Sequence, residues 1–268
     1  MKQQPIKQPI TKKQLAILLL LYLFRFLDTT TIQLLLNHKL PTRIQQWLKD
    51  LTTKGYIHQF YDRTTLIGRT KPAVYCLTTK ARPILKGQKE KDCKLSVLNQ
   101  IYREIDRSEE FREHCCYVAK ICLQLRDQYG EKKGNGTIKF FTKVELTGYD
   151  YFPKPFPDAY FVIKQKGKHI RRYLIEVLDL NIPKKVLKER IRRYITSEEG
   201  SWKETVGSKF PTVLFILRNK HKQRNIRKLI QKVRDEEYSY LPYYLTNKEV
   251  IKEQGLENIV WEKVEDES

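Results

Sequence analysis

Cysteine chemistry is nearly missing from this chain. No Cys-X-X-Cys pair occurs, and the five cysteines, Cys76, Cys93, Cys115, Cys116 and Cys122, are odd in number. No second Cys/His pair completes a tetrahedral set, which excludes a structural zinc site. Free buried thiols in a reducing cytoplasm fit the pattern. Long apolar runs are missing too. The longest, Leu15 to Phe24, stops at Arg25. Ten helical residues span roughly 15 Å, half of a bilayer core. Lys12 and Lys13 precede the run as in a signal peptide, but no small-residue cleavage site follows it. A buried helix is expected, with no membrane partner. Internal repeats, low-complexity tracts and leucine-zipper heptads are absent.

Acidic side chains are few. The 268 residues carry 31 Asp+Glu against 52 Lys+Arg, a net charge of +21. That excess favours a polyanionic partner. It is also uneven. Residues 1–90 hold 16 basic against 4 acidic side chains, and residues 184–234 again hold 16 against 4. Residues 235–268 reverse the sign, with 3 against 10. Two basic blocks suggest two nucleic-acid surfaces; the plainer alternative is solvated charge on Lys-rich helices. An apolar content of 40% excludes wholesale disorder, and the length suits one large domain or two small ones.

The first third has a regular rhythm. Thr11 caps a helix running to about Phe26. Asp28 to Thr31 read as the cap of a short helix, Ile32 to Asn37. Pro41 opens a third helix to Lys54, and Gly55 stops it. There Ile44, Trp47, Leu48 and Leu51 recur at helical spacing and are expected to face the core. Tyr56 to Tyr61 and Val74 to Leu77 read as strands around a basic turn, Arg63 to Pro72. The stretch LTTKGYIHQF, followed by RTKPAVYCLTTKARPIL, resembles winged helix domains of bacterial DNA-binding proteins. In those, the third helix enters the major groove and the hairpin touches the flanking backbone. Here Arg43 suits a guanine, and Gln45 or Gln46 an adenine. Lys49, Arg63, Arg69 and Lys71 suit phosphates. A winged helix used for protein contacts is the alternative.

Further on, a helix is expected over Leu95 to Ile105 and another from Glu109 to about Tyr129. Strands are expected over Ile138 to Leu146, Ala159 to Ile163 and Arg172 to Val177. A basic helix from Lys184 to Glu199, the apolar strand Thr212 to Leu217 and a basic helix from Arg224 to Arg234 follow. The end reads as strand, helix, strand: Tyr243 to Leu245, Lys248 to Gln254 and Asn258 to Trp261. Pro157-Asp158 opens the second strand and Glu176 lies in the third. This order resembles the core of PD-(D/E)xK nucleases. The motifs FPDAYFVI, YLIEVLD, ERIRRY, PTVLFILRN and YYLTNKEVIKEQGLENIVW, in that order, resemble the replication-relaxation family of plasmid and mobile-element proteins.

The resemblance implies a mixed α/β (α+β) fold. An N-terminal winged helix-turn-helix domain over 1–88 and a connector with a helix over 89–107 precede a PD-(D/E)xK restriction-endonuclease-like domain with a central mixed sheet over 108–268. It implies a DNA-binding accessory protein of plasmid or mobile-element replication or mobilisation. The partners would be double-stranded DNA and replication or relaxase proteins, with a homodimer as a further expectation. Two alternatives stay open: a metal-dependent endonuclease of transposition or defence, and a transcriptional regulator with a dimerising C-terminal domain. Cleavage would need Mg²⁺ or Mn²⁺ on Asp158 and Glu176, with Glu113 or Glu109 adding a carboxylate or His114 serving instead. The usual lysine position holds Leu178, so Lys188 or Arg190 would supply the cation. Lys184, Lys185, Arg192 and Arg193 would hold a DNA backbone. For Asp158 the plainer reading is the start of a strand; for Glu176, an ion pair with Arg190 or Arg192. Tyr194 reads as a core-facing helix residue rather than a nucleophile.

Overall fold

A computed structural model describes residues 10–62, 64–88, 93–130, 136–256 and 261–265. They form two compact units, residues 1–119 and 120–268. The division falls within the helix that begins at Glu109.

In the first unit, α1 (Lys12–Phe24) starts at Thr11, whose hydroxyl accepts from the Gln14 backbone N–H while the Gln14 side chain accepts from the Thr11 N–H. This reciprocal cap satisfies two otherwise orphaned donors. Ile17, Leu18 and Leu21 are buried, so the apolar run is a core helix. Among the described residues no helix is long and apolar enough to cross a membrane. Arg25 ends α1 with a positive φ (69°), its guanidinium forked onto the buried Glu104 at 2.8–3.1 Å. The next helix, α2 (Thr29–Leu35), starts earlier than the sequence suggests. Asp28 is its cap, accepting from the Thr31 N–H, so the threonines belong to the first turn.

Helix α3 (Pro41–Thr53) buries Ile44, Leu48 and Leu51, and Gly55 leaves it at φ +74°. Trp47 departs from expectation: it is only half-buried, with its ring edge-on to His38 at 5.1 Å. Strands β1 (Leu27–Asp28), β2 (Ile57–Phe60) and β3 (Val74–Leu77) form an antiparallel sheet in the order β1-β3-β2. The expected turn between β2 and β3 contains a short helix, α4 (Leu66–Thr70), and Asp62 ties that turn together. Its carboxylate accepts from the Thr64 N–H and from the hydroxyls of Thr64 and Thr65, which holds its pKa down at about 2.

After α5 (Arg82–Lys86), the helix expected over Leu95 to Ile105 is broken. It consists of one turn, α6 (Leu95–Leu98), and a 3₁₀ turn at Ile101–Arg103. Leu98 and Ile101 are buried, and Glu104 reaches Arg25. Helix α7 (Glu109–Tyr129) contributes Cys115 and Cys116 to a cluster with Phe26 and Cys76, with Phe60, Val74 and Phe111 packed on it.

The second unit is built on a six-stranded mixed sheet, β4-β5-β6-β7-β8-β9. The strands are β4 (Thr137–Thr142), β5 (Ala159–Lys164), β6 (Arg171–Leu178), β7 (Thr212–Leu217), β8 (Tyr243–Asn247) and β9 (Glu262–Lys263). Strands β4 to β6 form an antiparallel meander. Strand β6 pairs parallel with β7, and β7 with β8. Parallel neighbours need helical crossovers, here α9 (Lys184–Ser197) and α11 (Lys220–Glu237). The core lies between the sheet and these helices: Leu174, Leu178 and Phe215 from the strands, Ile191 and Tyr194 from α9, Val233 from α11.

The strand expected over Ile138 to Leu146 stops early. Thr142 and Glu145 form a capping box that starts α8 (Lys143–Leu146). Helix α9 ends at Ser197 and runs into a wider turn, Glu198–Trp202, before α10 (Lys203–Val206). The end follows the expected strand and helix, with α12 (Lys248–Gln254) after β8. Of the last expected strand, residues 258–260 lie outside the described residues.

Candidate functional site

In the first unit, the amphipathic helix α3 sorts its residues by face. With Ile44, Leu48 and Leu51 turned inward, Arg43, Gln45, Gln46 and Lys49 are left exposed. The Arg43 guanidinium donates to the Gln46 side-chain oxygen at 3.0 Å, which holds the two polar planes side by side. Such an array presents the donors and acceptors that read base edges. Arg69 is exposed on the turn between β2 and β3; Arg63 lies outside the described residues. Lys71 is already engaged, at 3.1 Å from Glu113 and 3.6 Å from Glu109.

In the second unit, Asp158 directly precedes β5, and Glu176 is on β6. Register pairs Ala159 with Ile175, and the Asp158 N–H donates to the Ile175 carbonyl. One step beyond, Asp158 and Glu176 are cross-strand neighbours on one face of the sheet. Glu176 is fully buried. Its Oε1 accepts from the Tyr194 hydroxyl at 2.7 Å and its Oε2 from Arg190 Nη1 at 2.8 Å. Asp158 accepts from the Val177 N–H at 2.9 Å and has Lys143 Nζ at 3.6 Å. Burial, reinforced by the Asp158 charge, pushes the Glu176 carboxyl up to about 7 against the pull of Arg190. Burial and the Glu176 charge push the Tyr194 phenol well above its ordinary value.

The expected ligands and cations divide. Asp158, Glu176 and Arg190 come together. Lys188 does not join them: its ammonium lies 2.7 Å from Glu236 on α11. Glu113 belongs to the ion pair with Lys71, and His114 is buried against the Phe111 ring. Leu178, in the usual lysine position, is part of the core. Asp179 holds Lys248. A Mg²⁺ or Mn²⁺ ion needs several oxygen ligands with free lone pairs. Each carboxylate oxygen of the pair already faces a donor or a cation, and no group of three or more His, Cys, Asp or Glu among the described residues is arranged to hold a metal. The pair is an ion cluster that joins the start of β5 to β6, α8 and α9. Burial pushes the Cys76 and Cys122 thiols up to about 12, which makes these two poor nucleophiles.

The basic stretch of α9 is also less available than its sequence suggests. Arg192 is bonded to Glu189, Glu236 and Glu237 at 2.7–2.8 Å, and Arg193 donates to the Lys154 carbonyl. Lys184 and Lys185 remain exposed. Lys143 is the residue that sequence reasoning missed. Its signal was the Thr-X-X-Glu spacing of Thr142 and Glu145, which turns the chain beside Asp158.

No protein-family model and no curated protein matches the sequence. Among solved structures, a mutant of ZitR from Lactococcus lactis aligns over 48% of this chain and 82% of that chain, with 20% identity and a TM-score of 0.26. A likeness that loose carries neither fold nor function across.

Proposed function

We propose that the chain is a DNA-binding accessory protein of the replication-relaxation kind. Its first unit acts as a winged helix that recognises a duplex site, and its second is a nuclease-like core that contacts nearby DNA without cutting it. One observation carries the reading: α3 turns Arg43, Gln45, Gln46 and Lys49 outward together, opposite an apolar face packed into the unit. Arg69, on the turn between β2 and β3, would hold a flanking phosphate. The net charge of +21 supplies the sequence-independent part of the affinity.

The second unit has the helix, three-strand meander, helix, strand order of nuclease cores, which supports the family assignment. Its closed carboxylate pair favours binding over cleavage. The test is selection of duplexes from a random pool, followed by anisotropy titration of the selected site. Wild type should bind that site above random duplex. Arg43→Ala should lose about 1–3 kcal/mol of the discrimination, the usual value of one bidentate base contact. Equal binding of selected and random DNA by wild type would sink the reading. Plasmid nicking by wild type with Mg²⁺, lost in both Asp158→Ala and Glu176→Ala, would favour the endonuclease instead. A footprint at the chain's own promoter and not at an origin would favour a regulator.

A further inference from the structure

Four cations of the second unit that have no ion-pair partner among the described residues line one cleft. It has a volume of about 610 Å³ and opens where β6 and β7 end, between α9 and α11. Lys184, Arg218, Lys222, Lys228 and Lys232 line it; Lys232 also acts on the Glu236 charge, and among the described residues none of the other four has an ion-pair partner. The one carboxylate in the lining, Asp179, is held by Lys248. The depth of the cleft is apolar, formed by buried side chains such as Leu187, Leu217 and Ile226. Asn181 and Asn225 add amide donors and acceptors at the mouth. Neither Asp158 nor Glu176 lines it.

We propose that this cleft binds a phosphorylated nucleoside, with its base on the apolar floor and its phosphate among the four cations. Three features point to that ligand class. Four positive charges without an ion-pair partner around one cavity favour an anion there. An apolar floor of this extent has nothing to offer inorganic phosphate but suits a flat ring, and the volume is within the usual range of small-molecule sites. The cleft opens outside the carboxyl ends of the parallel strands β6 and β7, where both crossover helices leave it accessible. The same chemistry is presented by a free nucleotide and by an unpaired residue of a single strand.

The proposal is independent of duplex recognition by α3, and it is tested on the full chain by calorimetry. The probes are the four deoxynucleoside monophosphates, inorganic phosphate and a short oligo-dT. The variants are Lys222→Glu/Lys228→Glu, both exposed, and Arg43→Ala. Nucleotide binding that weakens about tenfold or more in the double variant and stays intact in Arg43→Ala is the expected result. Binding of oligo-dT alone, lost in the double variant, identifies the strand as the source; binding of monophosphates identifies the free nucleotide. No binding of either, unchanged affinity in the double variant, or inorganic phosphate binding as tightly as the nucleotide would each overturn the proposal. A loss of duplex recognition in Arg43→Ala leaves these outcomes unaffected, so the two readings fail separately.

Discussion

Glu176 is the side chain whose environment makes the sharpest quantitative demand. Its carboxyl is fully buried and pushed up to about 7, where an unfolded glutamate titrates near its ordinary 4.5. Between those two values the folded chain keeps a proton that the unfolded chain has lost. Rising pH therefore favours the unfolded state across that window. A shift of this size, at about 1.4 kcal/mol per pH unit, makes Glu176 alone cost about 3 kcal/mol of stability above pH 7 relative to below pH 4.5. Glu176→Gln removes the titration and keeps the shape. The Gln oxygen can still accept from Arg190, and the Tyr194 hydroxyl can turn to accept from the new amide. Urea unfolding of both chains from pH 4.5 to 8 reads the titration of Glu176 together with its effect on the neighbouring Asp158. The stability difference between variant and wild type should move by about 3 kcal/mol in the variant's favour as the pH rises. Parallel curves would refute the reasoning, because they would mean that Glu176 titrates alike in both states.

Other substitutions probe the same cluster and the α3 face. Arg190→Met leaves Glu176 without its cation; it should cost about 3–5 kcal/mol at pH 8, and less at pH 5 where the carboxyl is protonated, as read by urea unfolding. Tyr194→Phe removes the buried donor to Glu176 and should cost about 1–3 kcal/mol in thermal or urea unfolding. Thr142→Ala breaks the capping box of α8 and should cost about 1 kcal/mol, checked by the same unfolding curves. Lys49→Ala should weaken duplex binding evenly across sequences and reduce the salt slope by about 0.9, measured by anisotropy over a range of salt concentrations.

Local pattern was legible where one face of an element is buried. In α3, apolar residues three and four apart face inward, so its outward side chains could be read in advance. In β7, an unbroken apolar run became a strand covered on both faces. Pro157-Asp158 and Glu176 marked the two strands that the fold pairs. Local competition was harder to see. The apolar stretch to Leu146 looked like strand, but the cap between Thr142 and Glu145 ends it. The stretch Leu95 to Ile105 has helical composition, yet it is divided into one helical turn and a 3₁₀ turn. Trp47 shares the spacing of its buried neighbours but sits at the edge of that face.

The order of elements, the amphipathic faces, the cross-strand carboxylate pair and the two basic blocks were all present in the sequence, because each depends on residues close together or on simple periodicity. Which charges survive as charges was decided by the tertiary structure. Arg192 and Lys188, prominent in a basic block, are cancelled by Glu236 and Glu237 from the end of α11. Arg190 and Tyr194 close the Glu176 carboxylate, and Lys143 faces Asp158 from a helix the sequence had seemed to make strand. Lys184, Arg218, Lys222 and Lys228 are left uncancelled and share one cleft. Charge adds up along a chain, but its energy depends on separation in space and on the surrounding dielectric, and only packing sets those.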